Sequence, residues 1–340
     1  MAVKLSDVAA RSAVSISTVS RVLNNHRHVN EVTRRSVLEA AESLGYPIPR
    51  AALEHKDARD VVLLTMHVRD PQRDPAVAGW ESFNHLVGQG ALPVLQSAGF
   101  RPRQLQPDGR PRSAEALFRE AAPAGVLIVG GSVPAELVKA LVGRDVPVVI
   151  AGAHADPERC NSVMADYLQG AREAVSHLAS LGRRRIALVN GPATTLTSRL
   201  KADGWRLGLA VHGAVADEAR HVGGEFSAQA GHDLTIELLR RAPDTDAILY
   251  ADDFTALGGI KAAGELGKTV PDDIAVVGFH NYPIAAFLSP PLTSVAFDMV
   301  RMGTIAAQRL VQLLEGGDPT PWMVQLPTSL VVRRSTAGSA

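Results

Sequence analysis

Cysteine is nearly absent from this chain. Its 340 residues hold one, Cys160, which excludes an intramolecular disulfide and argues against a cysteine-based metal site. Lysine is scarce: six of the 35 basic residues are lysine, so 35 − 6 leaves 29 arginines, a bias of genome composition with no functional content. No apolar run approaches the roughly 20 residues of a membrane span. The N-terminus carries no apolar signal-peptide core, because polar residues interrupt it from Lys4 onward. A cytoplasmic chain with no membrane partner is expected. Signatures of catalysis are missing as well. "VGGSVP" follows an apolar run but is not the G-x-G-x-x-G of a dinucleotide loop. Neither a G-x-S-x-G elbow nor an H-E-x-x-H pair occurs. The adjacent pairs Asp252–Asp253 and Asp272–Asp273 suit helix caps or solvent better than an acid–base couple. No enzymatic activity, metal or cofactor is expected.

What is present reads as a soluble, globular chain: 46% of residues are apolar and 21% charged. The length fits two or three domains, each able to bury a core. The formal charge is zero, yet it is unevenly spread. Residues 1–50 carry Lys4, Arg11, Arg21, Arg27, Arg34, Arg35 and Arg50 against Asp7, Glu31, Glu39 and Glu42, so +7 − 4 = +3. That asymmetry points to an anionic partner for the front end.

Local signals divide the front end into three short helices. Ser6 is expected to cap "DVAARS", and Ala13–Val14 to turn the chain. Ser15 then caps "ISTVSRVLNN". Val19, Val22 and Leu23 fall at i, i+3, i+4 and share a buried face, which leaves Ile16, Ser17, Ser20 and Arg21 on the others. Asn30 is expected to cap a third helix with Val37, Leu38, Ala41 and Leu44 as its apolar stripe, ended by Gly45. Two short helices, a tight turn and a supporting third helix make a helix-turn-helix unit, whose second helix enters the DNA major groove.

The stretch "KLSDVAARSAVSISTVSRVLNNHRHVNEVTRRSVLEAAESLGY" resembles the DNA-binding domain of the lactose-repressor (LacI/GalR) family of transcription regulators. The elements "DVA", "VS..TVSRVLN" and "V...TR..V..A...LGY" agree in order and spacing. The resemblance implies that Ile16, Ser17 and Arg21 read bases. An arginine there can bond guanine O6 and N7, and Ile16 can meet a thymine methyl. It places Thr18, Ser20, Asn24 and His28 on phosphates, which set register without reading sequence, and Leu5 and Ser6 near the DNA backbone. Plain helix-surface polarity is the competing reading for Thr18 and Ser20. The basic excess then serves phosphates.

After "LGY", family members continue into a short hinge helix whose leucine wedges into the minor groove and bends the duplex. Here the chain reads "PIPRAALEHKDARD". Arg50 and Ala52 keep the spacing, but His55 occupies the leucine position and Leu53 comes two residues early. Two residues turn a helix by about 200°. Residues 51–59 are thus either a shortened hinge with Leu53 as the wedge or a linker.

From Asp60 onward, apolar runs at 61–66, 125–130, 146–152, 185–191, 247–251 and 274–279 alternate with helix-like stretches near 81–98, 113–121, 134–142, 167–181, 229–241 and 254–266. Continuous apolar strands alternating with helices indicate parallel sheets covered on both faces, with ligands bound at the carboxyl ends of the strands. "HLASLGRRRIALVNGP", "SRLKADGWRLGL", "AILYADDFTALGGIKAAGELGKTVPDDIAVVGF", "PPLTSV" and "LVVRRST" extend the resemblance over about 164–336. It fades over 60–120, where one wall of the ligand pocket lies. The implied fold is an N-terminal all-α helix-turn-helix domain plus an α/β periplasmic-binding-protein-like (type I) core of two doubly wound parallel-sheet subdomains. The implied division is a DNA-binding domain at 1–50, a hinge or linker at 51–59 and an effector-binding, dimerising core at 60–336. Within the core, one subdomain spans about 60–180 and 296–323, the other about 181–295 and 324–336.

Carried over residue by residue, the resemblance puts Arg199 on ligand hydroxyls or an anionic group, Asp166 near the cleft and Phe226 as an aromatic platform. A surface arginine, a helix cap and a core phenylalanine are the competing readings. Asp252 stands where the family has asparagine. The usual Gly-Phe-Asp-Asp is "GFHN", with His280 and Asn281, and Phe297 replaces a polar residue. Histidine accepts fewer hydroxyl protons than aspartate, which favours an anionic, aromatic or phosphorylated ligand over a plain neutral sugar. The resulting expectation is a ligand-responsive repressor. It binds a pseudo-palindromic double-stranded DNA operator as a homodimer and a small-molecule effector between the subdomains. The absence of a leucine-heptad tail after "RRST" argues against tetramers. An α/β enzyme or a secreted solute-binding protein is the alternative.

Overall fold

The computed structural model describes residues 3–24, 29, 31–49, 60–65, 78–105, 123–130, 135–144, 146–152 and 160–337. The chain divides into two compact units, 1–59 and 60–340. In the first, α1 (Leu5–Ser12), α2 (Ile16–Leu23) and α3 (Glu31–Leu44) enclose a core of Val8, Ala9, Val19, Val22, Leu23, Val37, Ala40 and Ala41. Ala13 closes α1 in the left-handed region (φ 55°). The Ser15 hydroxyl accepts the Thr18 N–H at 3.1 Å and starts α2, as a helix N-cap does. The α1 cap differs from the expectation. Lys4, not Ser6, holds it, because Asp7 reaches back to the Lys4 N–H at 2.8 Å, and Ser6 lies inside the first turn. Gly45 (φ 66°) ends α3, with Gly45 N–H on Glu42 O and Tyr46 N–H on Ala41 O, the paired bonds of a Schellman stop. Asn30 and the hinge at 51–59 lie outside the described residues.

Among the described residues, the second unit holds two six-stranded sheets. The first comprises β1 (Asp60–Thr65), β2 (Arg101–Leu105), β3 (Gly125–Val129), β4 (Val148–Ala151), β5 (Asn161–Ala165) and β11 (Met323–Leu326). The second comprises β6 (Ile186–Asn190), β7 (His221–Gly223), β8 (Ala247–Tyr250), β9 (Ala275–His280), β10 (Thr293–Ala296) and β12 (Ser329–Val331). Every pairing is parallel except β10–β12. The six apolar runs read from the sequence become β1, β3, β4, β6, β8 and β9, and each is buried almost throughout. Most of the other strands are interrupted by polar residues, buried ones in β5 (Asn161, Ser162) and β10 (Thr293, Ser294), so no apolar run announces them.

Helices cover the sheets: α4 (Ala78–Ser97), α5 (Ala135–Val142), α6 (Tyr167–Ser180), α7 (Leu196–Val211), α8 (Ala228–Arg241), α9 (Asp253–Glu265) and α10 (Met299–Leu314). Helix α10, absent from the helix-like stretches above, packs on α4. The two helices touch through Gly90 and Gly303, where a Cβ would lie 1.8 Å from Val300 O or 1.9 Å from Val87 O. The chain passes between the sheets three times, not quite where expected. Helix α6 packs on α7 and the second sheet, so the first crossing falls at about residue 166, not 180. Strand β11 pairs with β5 in the first sheet, so the last crossing lies between Leu326 and Ser329, past the expected 323. The helix-like stretch at 113–121 falls outside the described residues.

Trp205 on α7 is the largest wholly buried side chain among the described residues, and its indole N–H donates to Ile186 O at 3.1 Å. Trp205→Ala removes that volume and orphans a buried carbonyl. A loss of ~3–5 kcal/mol is expected in urea unfolding of the core. A loss below about 1 kcal/mol would show that the α6–α7 layer repacks freely.

Candidate functional site

The first candidate surface is the exposed side of α2. Packing of Val19, Val22 and Leu23 inward turns Ile16, Ser17, Arg21 and Asn24 outward. Ile16 is 53% exposed, an unusual place for an isoleucine in an unliganded head. Arg21 is exposed and forms no ion pair among the described residues. Ser17 and Thr18 share the cap, their hydroxyls each 2.8 Å from Ser15 Oγ, and Asn24 Nδ2 donates to Ser20 Oγ at 3.3 Å. Leu5 is partly buried against the head's core while Ser6 is exposed. His28, Arg50 and Leu53 lie outside the described residues. One member of the basic excess does not face outward. Arg34 is 2% exposed and donates to Val22 O at 3.4 Å, so it braces the end of α2.

The second candidate is a cavity in the core, of about 450 Å³ including the part open to solvent. It is lined by Phe83, Gly130, Gly152, Tyr167, Thr197, Lys201, Phe226, Asp252, His280 and Tyr282. Apart from Phe83 on α4 and Lys201 in the second turn of α7, these residues stand at or soon after the carboxyl ends of strands, where a parallel α/β sheet presents its loops and helix N-termini. Both glycines are needed there: Gly130 has φ 122° and Gly152 φ 90°, and a Cβ on Gly152 would meet the Phe83 ring at 2.4 Å.

Lys201 is the cavity's cation. It is 1% exposed, and its Nζ donates to Ala251 O at 2.6 Å. The ammonium also lies 4.6, 5.1 and 5.6 Å from the ring centres of Phe279, Tyr167 and Phe226. Such faces stabilise a cation by their negative quadrupole. Burial lowers the ammonium to about 8, against the pull of Asp252 and Asp253. Two of its three N–H groups have no partner among the described residues. Asp252 caps α9: its Oδ1 accepts Thr255 N–H at 2.7 Å, and its own N–H donates to Thr255 Oγ1. Burial raises its pKa, opposed by those bonds and by Lys201. The Tyr167 and Tyr282 hydroxyls are held protonated by burial.

His280 stacks on Tyr282 (5.1 Å, 20°) and meets Phe297, Phe279 and Phe83 edge-on. Its Nδ1 is buried without a partner among the described residues. Burial, then the Lys201 ammonium, pushes its pKa well down, so the ring is neutral at physiological pH. It sits at φ 90°, followed by Asn281 at φ 52°. Two successive non-glycine residues in the left-handed region cost roughly 1–3 kcal/mol each and persist only where their surroundings hold them.

Of the expected ligand residues, the structure brings Phe226, Asp252 and His280 to the cavity. Arg199 is exposed and outside it: two positions along α7 turn the helix by about 200°, and Lys201 is the basic residue that points in. Asp166 caps α6 through Gln169 N–H at 3.0 Å. Asn281 faces away, its Oδ1 accepting from Arg333 at 2.7 Å. Phe297 lies behind His280 in the core. Lys201, Tyr167, Tyr282, Thr197 and Phe83 were not singled out from sequence. The α7 stripe Ala202, Trp205, Leu209 was the available signal, because it sets which lysine or arginine shares the inward side.

Residues 4–48 match the family model described as bacterial regulatory proteins, lacI family. Residues 175–336 match that of a periplasmic binding protein-like domain. The chain is 32% identical over 352 residues to the HTH-type transcriptional regulator MalR of Streptomyces coelicolor, covering 100% of this chain and 98% of the other. Among solved structures it is similar to the transcriptional regulator CelR in its cellobiose complex, with 30% identity, 98% and 99% coverage and a TM-score of 0.74. It is also similar to the lac repressor dimer bound to operator and the anti-inducer ONPF, with 27% identity, 99% coverage of both chains and a TM-score of 0.70. With a helix-turn-helix head, two parallel sheets around a cavity and full-length relatives that are transcription regulators, the chain belongs to the lacI family of bacterial regulatory proteins and is a ligand-responsive DNA-binding regulator, not an enzyme.

Proposed function

We propose that the protein is a repressor that acts in the cytoplasm as a homodimer on a pseudo-palindromic operator and is controlled by a small molecule bound among Lys201, Asp252, His280 and the surrounding rings. The observation that carries the ligand half is the buried Lys201 ammonium, which lines the cavity and whose one hydrogen-bond acceptor among the described residues is Ala251 O. Burying a cation with unfilled donors is costly, and a ligand acceptor offsets that cost. The carboxylate of Asp252 supplies an acceptor beside it, so one ligand hydroxyl can meet both. Phe83, Tyr167, Phe226, His280 and Tyr282 offer faces to a flat ring. The sequence favoured an anionic, aromatic or phosphorylated ligand over a plain neutral sugar; this balance of one cation and one carboxylate instead favours a neutral or singly charged ring with hydroxyls over a multiply charged phosphate. The named ligand of a relative, cellobiose in the CelR complex, is of that kind. No helix among the described residues is long and apolar enough to cross a membrane.

In the head, Arg21, Ile16 and Ser17 read bases, while Thr18, Ser20 and Asn24 position the helix on phosphates with Leu5 and Ser6 beside them. His28, Arg50 and Leu53 belong to the same proposal by resemblance. Arg21→Ala is expected to cost about 1–3 kcal/mol at one symmetric operator position and to relax specificity there, read by competition binding against single-base variants. A uniform loss over all sequences assigns Arg21 to a phosphate. Affinity for the operator should also fall steeply with salt; equal affinity for random DNA removes the regulator's specificity from the proposal.

Calorimetry with cellobiose, maltose and glucose 6-phosphate tests the cavity. Lys201→Met should abolish binding of whichever sugar the unaltered chain takes, while Arg199→Ala should leave it within about twofold, since Arg199 lies outside the cavity. The reverse pattern refutes the assignment. Affinity should hold below pH 8 and fall above it, by up to about tenfold per pH unit, because the ammonium that donates to the ligand is lost as pH passes about 8. Lys201→Arg should remove that fall. If the fall persists in Lys201→Arg, another group titrates.

A further inference from the structure

The turn that ends β9 presents His280 and Tyr282 to the cavity through two residues in the left-handed region. What holds it is not in the cavity. Asp253, the first residue of α9, is wholly buried and directs both carboxyl oxygens at this turn. Its Oδ2 accepts the Tyr282 N–H at 2.6 Å, and its Oδ1 accepts the Ser294 Oγ–H at 2.6 Å. Ser294 Oγ in turn accepts the Asn281 N–H at 2.9 Å. The two backbone N–H groups that follow His280 therefore both trace to one carboxyl group. Gly278 leaves the room: a Cβ there would lie 2.3 Å from Asp253 Oδ1. From the other side the Arg333 fork donates to Leu292 O at 2.6 Å and Asn281 Oδ1 at 2.7 Å.

We propose that Asp253 is a positioning residue of the ligand cavity, which fixes the His280–Tyr282 ring pair by tying down the backbone of the turn between them without touching the ligand. The positioning stands on these bonds. Only its consequence for ligand affinity rests on the reading of the cavity given above. Burial pushes Asp253 up to about 8, with its hydrogen bonds to Ser294 and Tyr282 acting the other way. Such a group is kept only where its bonds replace hydration. A neutral amide can replace it, since Asn accepts from the Tyr282 N–H and donates to Ser294 Oγ. Alanine can do neither.

The test reads the His280 ring itself. Its Cε1–H resonance, identified by its absence in His280→Gln, is followed by NMR between about pH 5.5 and 8 in the full chain without ligand. The charged groups facing the turn are Lys201 from α7, Asp252 and Asp253 from α9 and Arg333 beyond β12. None but Asp253 is altered. In the unaltered chain the resonance should not titrate, because the ring is buried and neutral. In Asp253→Ala the released turn should let water reach the ring, and the resonance should titrate near its usual value of about 6.5. Asp253→Asn should restore the silent ring. If Asp253→Ala does not fold, Ser294→Ala, which cuts the Oδ1 tie and the Asn281 support alone, decides in its place. A ring that stays silent in Asp253→Ala and in Ser294→Ala, with the core folded by circular dichroism, overturns the proposal. So does a titrating ring in Asp253→Asn. In parallel, cellobiose affinity should drop at least about tenfold in the alanine variant and recover in the asparagine variant. A chain that binds no sugar counts against the ligand reading alone, and the histidine resonance still decides the positioning.

Discussion

Parallel strands have to be covered on both faces, and that constraint organises the core. A parallel pair cannot be joined by a tight hairpin, so β1, β3, β5, β6, β7, β8 and β10 are each followed by a helix that packs in the layers covering the sheets. All strand carboxyl ends of a sheet then open on the same side, where loops and helix N-termini gather. Two such sheets arranged around one cavity bring Gly130 and Gly152 from the first, and Tyr167, Thr197, Phe226, Asp252 and His280 from the second, to a single place. Three chain crossings tie the sheets together, and the last, between β11 and β12, is only two residues long. A relative movement of the sheets must pass through these segments.

The cavity draws on two kinds of polar interaction that burial makes strong. Lys201 is held at the cavity wall by a carbonyl and three ring faces. Asp252 and Asp253 are sequence neighbours with separate duties, because a helix start splays them. Asp252 turns back to cap the helix beside the cavity, and Asp253 turns under it to hold the β9 turn. The adjacency that argued against an acid–base couple in the sequence was correctly read as capping for the first of the pair. The second is a buried support that no spacing rule identifies.

The head shows the same division between reading and support. Its exposed side carries Ile16, Ser17, Arg21 and Asn24, and the apolar spacing of α2 was enough to turn them outward. Arg34 counted as a DNA-facing charge by composition, yet it is buried and donates to the last turn of α2. Net charge counts residues without regard to where helix rotation and packing put them.

The order and spacing of the head's residues determined its three helices, its family and which residues of α2 face outward, because 3.6-residue periodicity and end signals are local. Long apolar runs determined six strands and the α/β class for the same reason. Only the tertiary structure decided which side chains share the cavity. Arg199 and Lys201 differ by two positions on one helix, and packing of Trp205 and Ala202 inward chose the lysine. The places where the chain changes sheets were likewise settled by α6 packing on α7 and by β11 pairing with β5. The conformation of His280 and Asn281 depends on Asp253, Ser294 and Arg333, up to 52 residues away in the chain. Contacts of that range arise from the closure of the fold, and no local pattern encodes them.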